Sequence, residues 1–215
     1  MKMKTLQFFA GAILFSTLSL SGKAQSEQYV PAMKENIEKI NHWSESPQML
    51  AATFERIAQA ESNQWLPYYY AAYANIINSF TLSASDAKDQ LLDHAQDILN
   101  KAFGLNPDSS ECMVLQGFLY IAKLQVDPTI RGAEYSQKAN EAFDEAIRLN
   151  TANPRAYYMK GSTVLNTPEF FGGGKKPAKP ILETALAKYE AFVPSSNLSP
   201  SWGKEDCKRD LDSCQ

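Results

Sequence analysis

Histidine is scarce in this sequence, and its two histidines lack the neighbours that catalysis or metal binding would need. Neither His42 nor His94 belongs to an H-E-x-x-H pattern. The acids beside His94, Asp93 and Asp97, fall on the predicted solvated face of a helix. The nucleophile pattern G-x-S-x-G is missing as well. We therefore expect no catalytic residue, no metal site and no cofactor, and a protein that is not an enzyme.

Basic charge is also in short supply. The chain has 21 Lys and Arg against 24 Asp and Glu, a net charge of −3. Removing residues 1–24 would take away three lysines and no acid, which changes the net charge to −6. No basic stripe interleaved with aromatic residues is present, so nucleic acid is not an expected partner.

Long apolar runs are absent after the first segment. Lys2 and Lys4 precede an apolar run over 6–20, and the small-x-small sequence at 22–24 follows it. This pattern predicts a secretory signal peptide at 1–24, with an uncleaved anchor as the alternative. The run is short for a membrane helix. We expect an exported protein, periplasmic or extracellular, with no membrane span after cleavage.

Cysteine is represented by three residues only. Cys112 lies in a predicted helix interior, whereas Cys207 and Cys214 lie near the end of the chain. Seven residues of continuous helix span about 10.5 Å, beyond the roughly 7 Å that a disulfide bridges. The spacing favours two thiols, although an early end of the helix would permit a bond.

A period of 44 residues organises the rest of the chain. Gly117 and Gly161 are 44 residues apart, and Tyr73 stands another 44 residues upstream. A fixed period of roughly 20 to 50 residues is typical of a solenoid. The first helix of each copy carries Tyr69, Ala72, Tyr73 and Ile76, then Met113, Gln116, Gly117 and Tyr120, then Tyr157, Lys160, Gly161 and Val164. The second helix carries Ala95, Leu99 and Ala102, then Ala139, Phe143 and Ala146, then Ala178, Leu182 and Ala185.

These residues resemble the tetratricopeptide repeat pattern W-x2-L-G-x2-Y followed by A-x3-F-x2-A. Tyr73 departs from it, because it stands where a small residue is expected. The family period is about 34 residues, so the extra length should lie between the two helices of each hairpin. The resemblance implies an all-α, right-handed α-solenoid of about four helical hairpins with a C-terminal capping helix. After the signal peptide, the segments are a degenerate N-terminal hairpin (25–65), three repeats (66–109, 110–153 and 154–197) and the cap (198–215).

The resemblance also implies a concave groove lined by the first helices of the repeats. A helix cannot point all of Trp65, Tyr68, Tyr69 and Tyr70 the same way, and Tyr70 is the candidate to face away from the core. The groove positions are Tyr70, Asn78, Phe118, Tyr158 and Asn166. They predict a binding or scaffold module for a protein or peptide partner. The alternative is that Phe118 and Tyr158 pack only on neighbouring helices.

Three long connections offer a second surface, at 80–86, 125–131 and 166–176. They should lie along one edge of the solenoid, where insertions often build a binding site. Phe170, Phe171 and Trp202 are the candidate stacking residues of this edge, for a small ligand or a glycan. The three glycines at 172–174 predict a tight turn with Phe170 or Phe171 tucked beneath it. A display role for these two rings is the alternative.

Overall fold

A computed structural model describes residues 26–106 and 109–215 of the chain. The predicted signal peptide at 1–24 lies outside the described residues. The described chain is helical, without strands, and none of its helices is long and apolar enough to cross a membrane. The helices are α1 (Tyr29–His42), α2 (Pro47–Ala60), α3 (Trp65–Ser79), α4 (Ser85–Leu105), α5 (Ser110–Leu124), α6 (Pro128–Leu149), α7 (Pro154–Asn166), α8 (Lys175–Ala191) and α9 (Lys204–Ser213).

Consecutive helices pack as hairpins: α1 with α2, α3 with α4, α5 with α6, and α7 with α8, while α9 packs on α8. The inner helices α3, α5 and α7 also contact one another in that order. The predicted all-α class with four hairpins and a C-terminal helix is confirmed.

Several helices begin with the same local arrangement, a polar cap residue followed by proline. The side-chain oxygen of the cap residue accepts a backbone N–H of the first turn, and proline at the next position loses no hydrogen bond there. These pairs are Ser46 with Pro47, Asp127 with Pro128, and Asn153 with Pro154. Because Asp127 caps α6, the connection after α5 is shorter than the predicted 125–131.

The repeated glycines lie where the two helices of a hairpin cross. A Cβ on Gly117 would lie 2.7 Å from Cδ1 of Phe143, and one on Gly161 would lie 2.8 Å from Cδ2 of Leu182. Phe143 and Leu182 are fully buried. The helices of these two hairpins therefore cross closely at the glycines, and a larger side chain there would have to displace Phe143 or Leu182.

A buried ion pair connects α5, in the second repeat, to α7, in the third. Arg155 and Glu111 occupy equivalent positions one period apart, and Arg155 Nε and Nη2 donate to the Glu111 carboxylate at 2.8 and 2.6 Å. The Arg155 side chain is fully buried, and its guanidinium lies 4.6 Å from the centroid of the Phe192 ring. Both ends of this pair are therefore fixed by packing as well as by charge.

The C-terminal segment returns across the solenoid to its opposite end. Trp202 Nε1 donates to Tyr69 Oη at 2.9 Å, and Asn41 Nδ2 donates to Ser201 Oγ at 3.1 Å. Gly203, at φ 99°, is the residue before α9, and no side chain caps this helix. The positive φ of Gly203 turns the chain, which frees Trp202 to reach the first repeat.

Candidate functional site

A cavity of about 400 Å³ opens on the inner-helix side of the solenoid. Its walls come from α3, α5 and α7, from the connections that follow them, from one residue of α6, and from the returning C-terminal segment. The lining residues are Tyr73, Ile77, Phe80, Phe118, Ile121, Leu124, Gln125, Ser136, Tyr158, Met159, Ser162, Thr163, Asn166, Thr167, Trp202 and Asp206.

One wall of the cavity is a continuous group of aromatic rings. Trp202 stacks on Tyr73, with ring centroids 4.8 Å apart and planes 13° from parallel. Phe118 lies 6.4 Å from Tyr73 and 5.8 Å from Phe80, centroid to centroid. The indole N–H of Trp202 is held by Tyr69, so this wall is formed before any ligand arrives.

The rest of the lining combines apolar side chains with polar ones that are largely uncharged. Within the described chain, the side chains of Gln125, Ser136 and Ser162 face the cavity without a recorded hydrogen bond of their own. Burial raises the pKa of both Tyr73 and Tyr158, so these phenols stay neutral at physiological pH. The acid of the lining, Asp206, forms an ion pair with Arg209.

No group of three or more His, Cys, Asp or Glu side chains that could hold a metal ion is present in the described part of the chain. The lining contains no histidine and no cysteine. The chemistry offered is therefore ring stacking and hydrogen bonding, which suits a flat, mostly apolar molecule with polar substituents.

Four of the predicted site residues meet in this cavity. Phe118, Tyr158 and Asn166 were predicted from the groove, and Trp202 from the loop edge. The cavity therefore combines groove residues with one residue of the predicted loop edge, because the inner helices end where the long connections begin. Phe118 and Tyr158 also pack on neighbouring helices, and both are half-buried.

Tyr70 and Asn78 do not line the cavity. The expectation that Tyr70 faces away from the core was wrong: its ring is fully buried, 5.1 Å from Phe54, and its hydroxyl donates to the Leu198 carbonyl at 3.1 Å. The preceding hairpin and the returning segment cover that side of α3. Asn78 lies at the end of α3, where its carbonyl oxygen accepts the Thr81 hydroxyl at 2.8 Å.

Phe170 and Phe171 also lie outside the cavity. Phe170 is 91% exposed and Phe171 is 74% exposed, so the expectation that one of them is tucked under the turn was wrong. The glycine turn itself is present, with φ 82° at Gly172 and 95° at Gly174. Its inside is filled by the Thr167 backbone and by the Glu169 side chain, which leaves no room for a ring.

Tyr73 is the main lining residue that sequence reasoning missed as a site. It was noted as a departure from the small residue of the repeat pattern. In the other two copies that position is a glycine at a helix crossing, whereas in the first copy the ring turns towards the cavity and meets Trp202. The tyrosine at position 73, where the repeat pattern expects a small residue, was the feature of the sequence that could have indicated this role.

Comparison with known proteins shows a similarity to a solved structure. No family model and no curated protein matches the chain. Among solved structures, the HusA haemophore from Porphyromonas gingivalis matches with a TM-score of 0.79 and 33% sequence identity, over 89% of this chain and 96% of that one. The chain belongs to the HusA-like family. The similarity is to a haemophore, a non-enzymatic binding protein, and this confirms the prediction that the HusA-like chain is not an enzyme.

Proposed function

We propose that this HusA-like protein binds haem, or a closely related planar tetrapyrrole, in the aromatic cavity. The observation that carries the proposal is the preformed wall of Tyr73, Trp202 and Phe118 around an uncharged space, in a relative of a haemophore. The aromatic wall and the similarity to a haemophore favour the binding of a small ligand, the alternative drawn from the sequence, over the binding of a peptide in the groove.

The size and chemistry of the cavity support the proposal. A volume of about 400 Å³ falls within the range of roughly 300 to 1,000 Å³ typical of small-molecule sites. The rings supply stacking surfaces for a flat macrocycle. Gln125, Ser136 and Asn166 supply hydrogen-bonding groups for carboxylate substituents at its edge.

Ring contacts rather than iron coordination should dominate the affinity. Histidine is the usual protein ligand of haem iron, but the lining has none. The lining tyrosines Tyr73 and Tyr158 would have to lose a proton to bind iron strongly, and burial raises the pKa of both phenols. We therefore expect haem and the same porphyrin without iron to bind with dissociation constants within about tenfold of each other.

The direct test is titration of the purified protein with haem, followed by the absorbance of the porphyrin and by quenching of tryptophan fluorescence. Phe118→Ala should raise the dissociation constant about tenfold or more, because burying a phenylalanine contributes about 1.5 to 3 kcal/mol. Phe170→Ala is the matched control, since it removes the same ring from outside the cavity.

A second variant separates loss of binding from loss of folding. Ser162→Phe adds a ring to the cavity wall without removing a core contact, so it should block binding while the melting temperature stays close to that of the wild type. If Phe118→Ala and Ser162→Phe both bind haem as tightly as Phe170→Ala does, the cavity is not the site.

Export of the mature chain belongs to the same proposal. The signal-peptide pattern at 1–24 precedes the described fold, and a haem-capturing role is consistent with a place outside the cytoplasm. Sequencing the N-terminus of protein from periplasm and culture medium should show cleavage after Ala24.

We retain the tetratricopeptide relationship of the hairpins as an inference from the 44-residue repeat.

A further inference from the structure

The connection between α7 and α8 exposes two large rings that the core and the cavity do not use. Phe170 and Phe171 are 91% and 74% exposed, and they contact each other edge to face with centroids 5.2 Å apart. The turn that carries them starts directly after Asn166 and Thr167, which line the cavity. An exposed pair of this size in an otherwise well-packed chain indicates an interaction surface.

Three lysines follow the two rings at the start of α8. Lys175, Lys176 and Lys179 are exposed, and none of them forms an ion pair within the described part of the chain. Many of the other described lysines do pair with an acid, as Lys123 does with Asp93 at 2.7 Å. The three free amines therefore form a local basic cluster on a protein of net negative charge.

Neither the two exposed rings nor the three lysines stabilise the fold. Cations in the first turn of a helix oppose the helix dipole, and α8 has no acidic residue there. Glu169, in the connection before α8, is folded back so that its Cγ lies close to Gly174. Exposed phenylalanines beside lysines are the composition of surfaces that bind at the lipid headgroup level.

We propose that the lipid-facing patch, defined as Phe170, Phe171, Lys175, Lys176 and Lys179, docks the protein on an anionic lipid surface. The two rings enter the headgroup region, and the three amines meet lipid phosphates. Docking in this way brings the Asn166 and Thr167 edge of the cavity close to the lipid. The proposal does not depend on which ligand the cavity binds.

The test is co-sedimentation of the purified protein with vesicles of phosphatidylcholine alone and of phosphatidylcholine mixed with phosphatidylglycerol. We expect binding to the mixed vesicles that weakens as salt is added, because exposed charges are screened. The triple variant Lys175→Gln, Lys176→Gln, Lys179→Gln should lower the partition coefficient about fivefold for each lysine. The double variant Phe170→Ser, Phe171→Ser should lower it about tenfold for each ring.

Matched controls use residues of the same kinds elsewhere on the surface. Ile130→Ser removes an apolar side chain that is 79% exposed on α6, and Lys101→Gln removes an exposed amine on α4 that, like the patch lysines, forms no ion pair within the described residues. Both controls should bind as the wild type does, and all variants should keep its melting temperature because every changed residue is exposed. Failure of the wild type to bind mixed vesicles at low salt overturns the proposal and leaves a protein partner for the patch. Equal binding by the patch variants and the controls also overturns it.

Discussion

Replacing Gly117 tests the helix crossing on which the repeat reading depends. A Cβ at this position would lie 2.7 and 2.8 Å from Cδ1 and Cζ of Phe143, whose ring is fully buried. Overpacking of this kind costs about 1 to 3 kcal/mol. Removing a glycine from a helix interior returns about 1 kcal/mol. Gly117→Ala should therefore lower the free energy of unfolding by up to about 2 kcal/mol.

Gly132 supplies the matched control on the facing helix. It also lies inside a helix, α6, but a Cβ there would have nothing within 4 Å. Gly132→Ala should stabilise the protein by up to about 1 kcal/mol, because it gains helix propensity without a clash. One kcal/mol corresponds to about 2 to 4 °C in a protein of this length. The two alanine variants are thus expected to shift the melting temperature in opposite directions.

Larger side chains should widen the contrast. Gly117→Leu and Gly161→Leu should each lower the melting temperature by several degrees, since the added atoms must separate α5 from α6 or α7 from α8. Thermal unfolding followed by circular dichroism at 222 nm, the helix wavelength, measures all four variants. If both leucine variants melt at or above the wild-type temperature, the glycines do not mark close crossings and the reasoning is refuted.

Two further predictions concern buried polar groups. Arg155→Met should lower the free energy of unfolding by about 3 kcal/mol in urea titration, because Glu111 keeps its charge without a partner; adding Glu111→Gln should recover part of this loss. Burial raises the pKa of Cys112 from 9.0 to about 12 and that of Tyr29 from 10.0 to about 12. The unfolded chain loses these protons first, so stability should fall between about pH 9 and pH 12. A free energy of unfolding that stays constant between about pH 9 and pH 12 would contradict the raised pKa values of Cys112 and Tyr29.

The periodic part of the fold could be predicted from the sequence because its causes are local. Gly117 and Gly161 repeat at 44 residues together with the small residues of the facing helix, and the hairpin requires both. Phe118, Tyr158 and Asn166 were placed on the inner side by the same period, and they do line the cavity.

The rest depends on contacts between distant parts of the chain. Nothing near Tyr70 in the sequence shows that the carbonyl of Leu198, 128 residues away, will accept a hydrogen bond from its hydroxyl. Trp202 was predicted as a stacking residue of the loop edge, and no local pattern shows that its partners Tyr69 and Tyr73 lie on α3. The aromatic wall of the cavity forms because the C-terminal segment folds back onto α3, and a periodic sequence pattern carries no information about that contact.

The contact between Trp202 and Tyr69 also limits how this protein can evolve. Open repeat arrays gain or lose units easily, because each unit contacts only its neighbours. Here the last segment must reach back to the first repeat, so inserting or deleting one hairpin would move Trp202 away from both of its partners. The contact between Trp202 and α3 can form only with the present number of hairpins. We therefore expect relatives to vary in loop length and in cavity residues but not in the number of repeats.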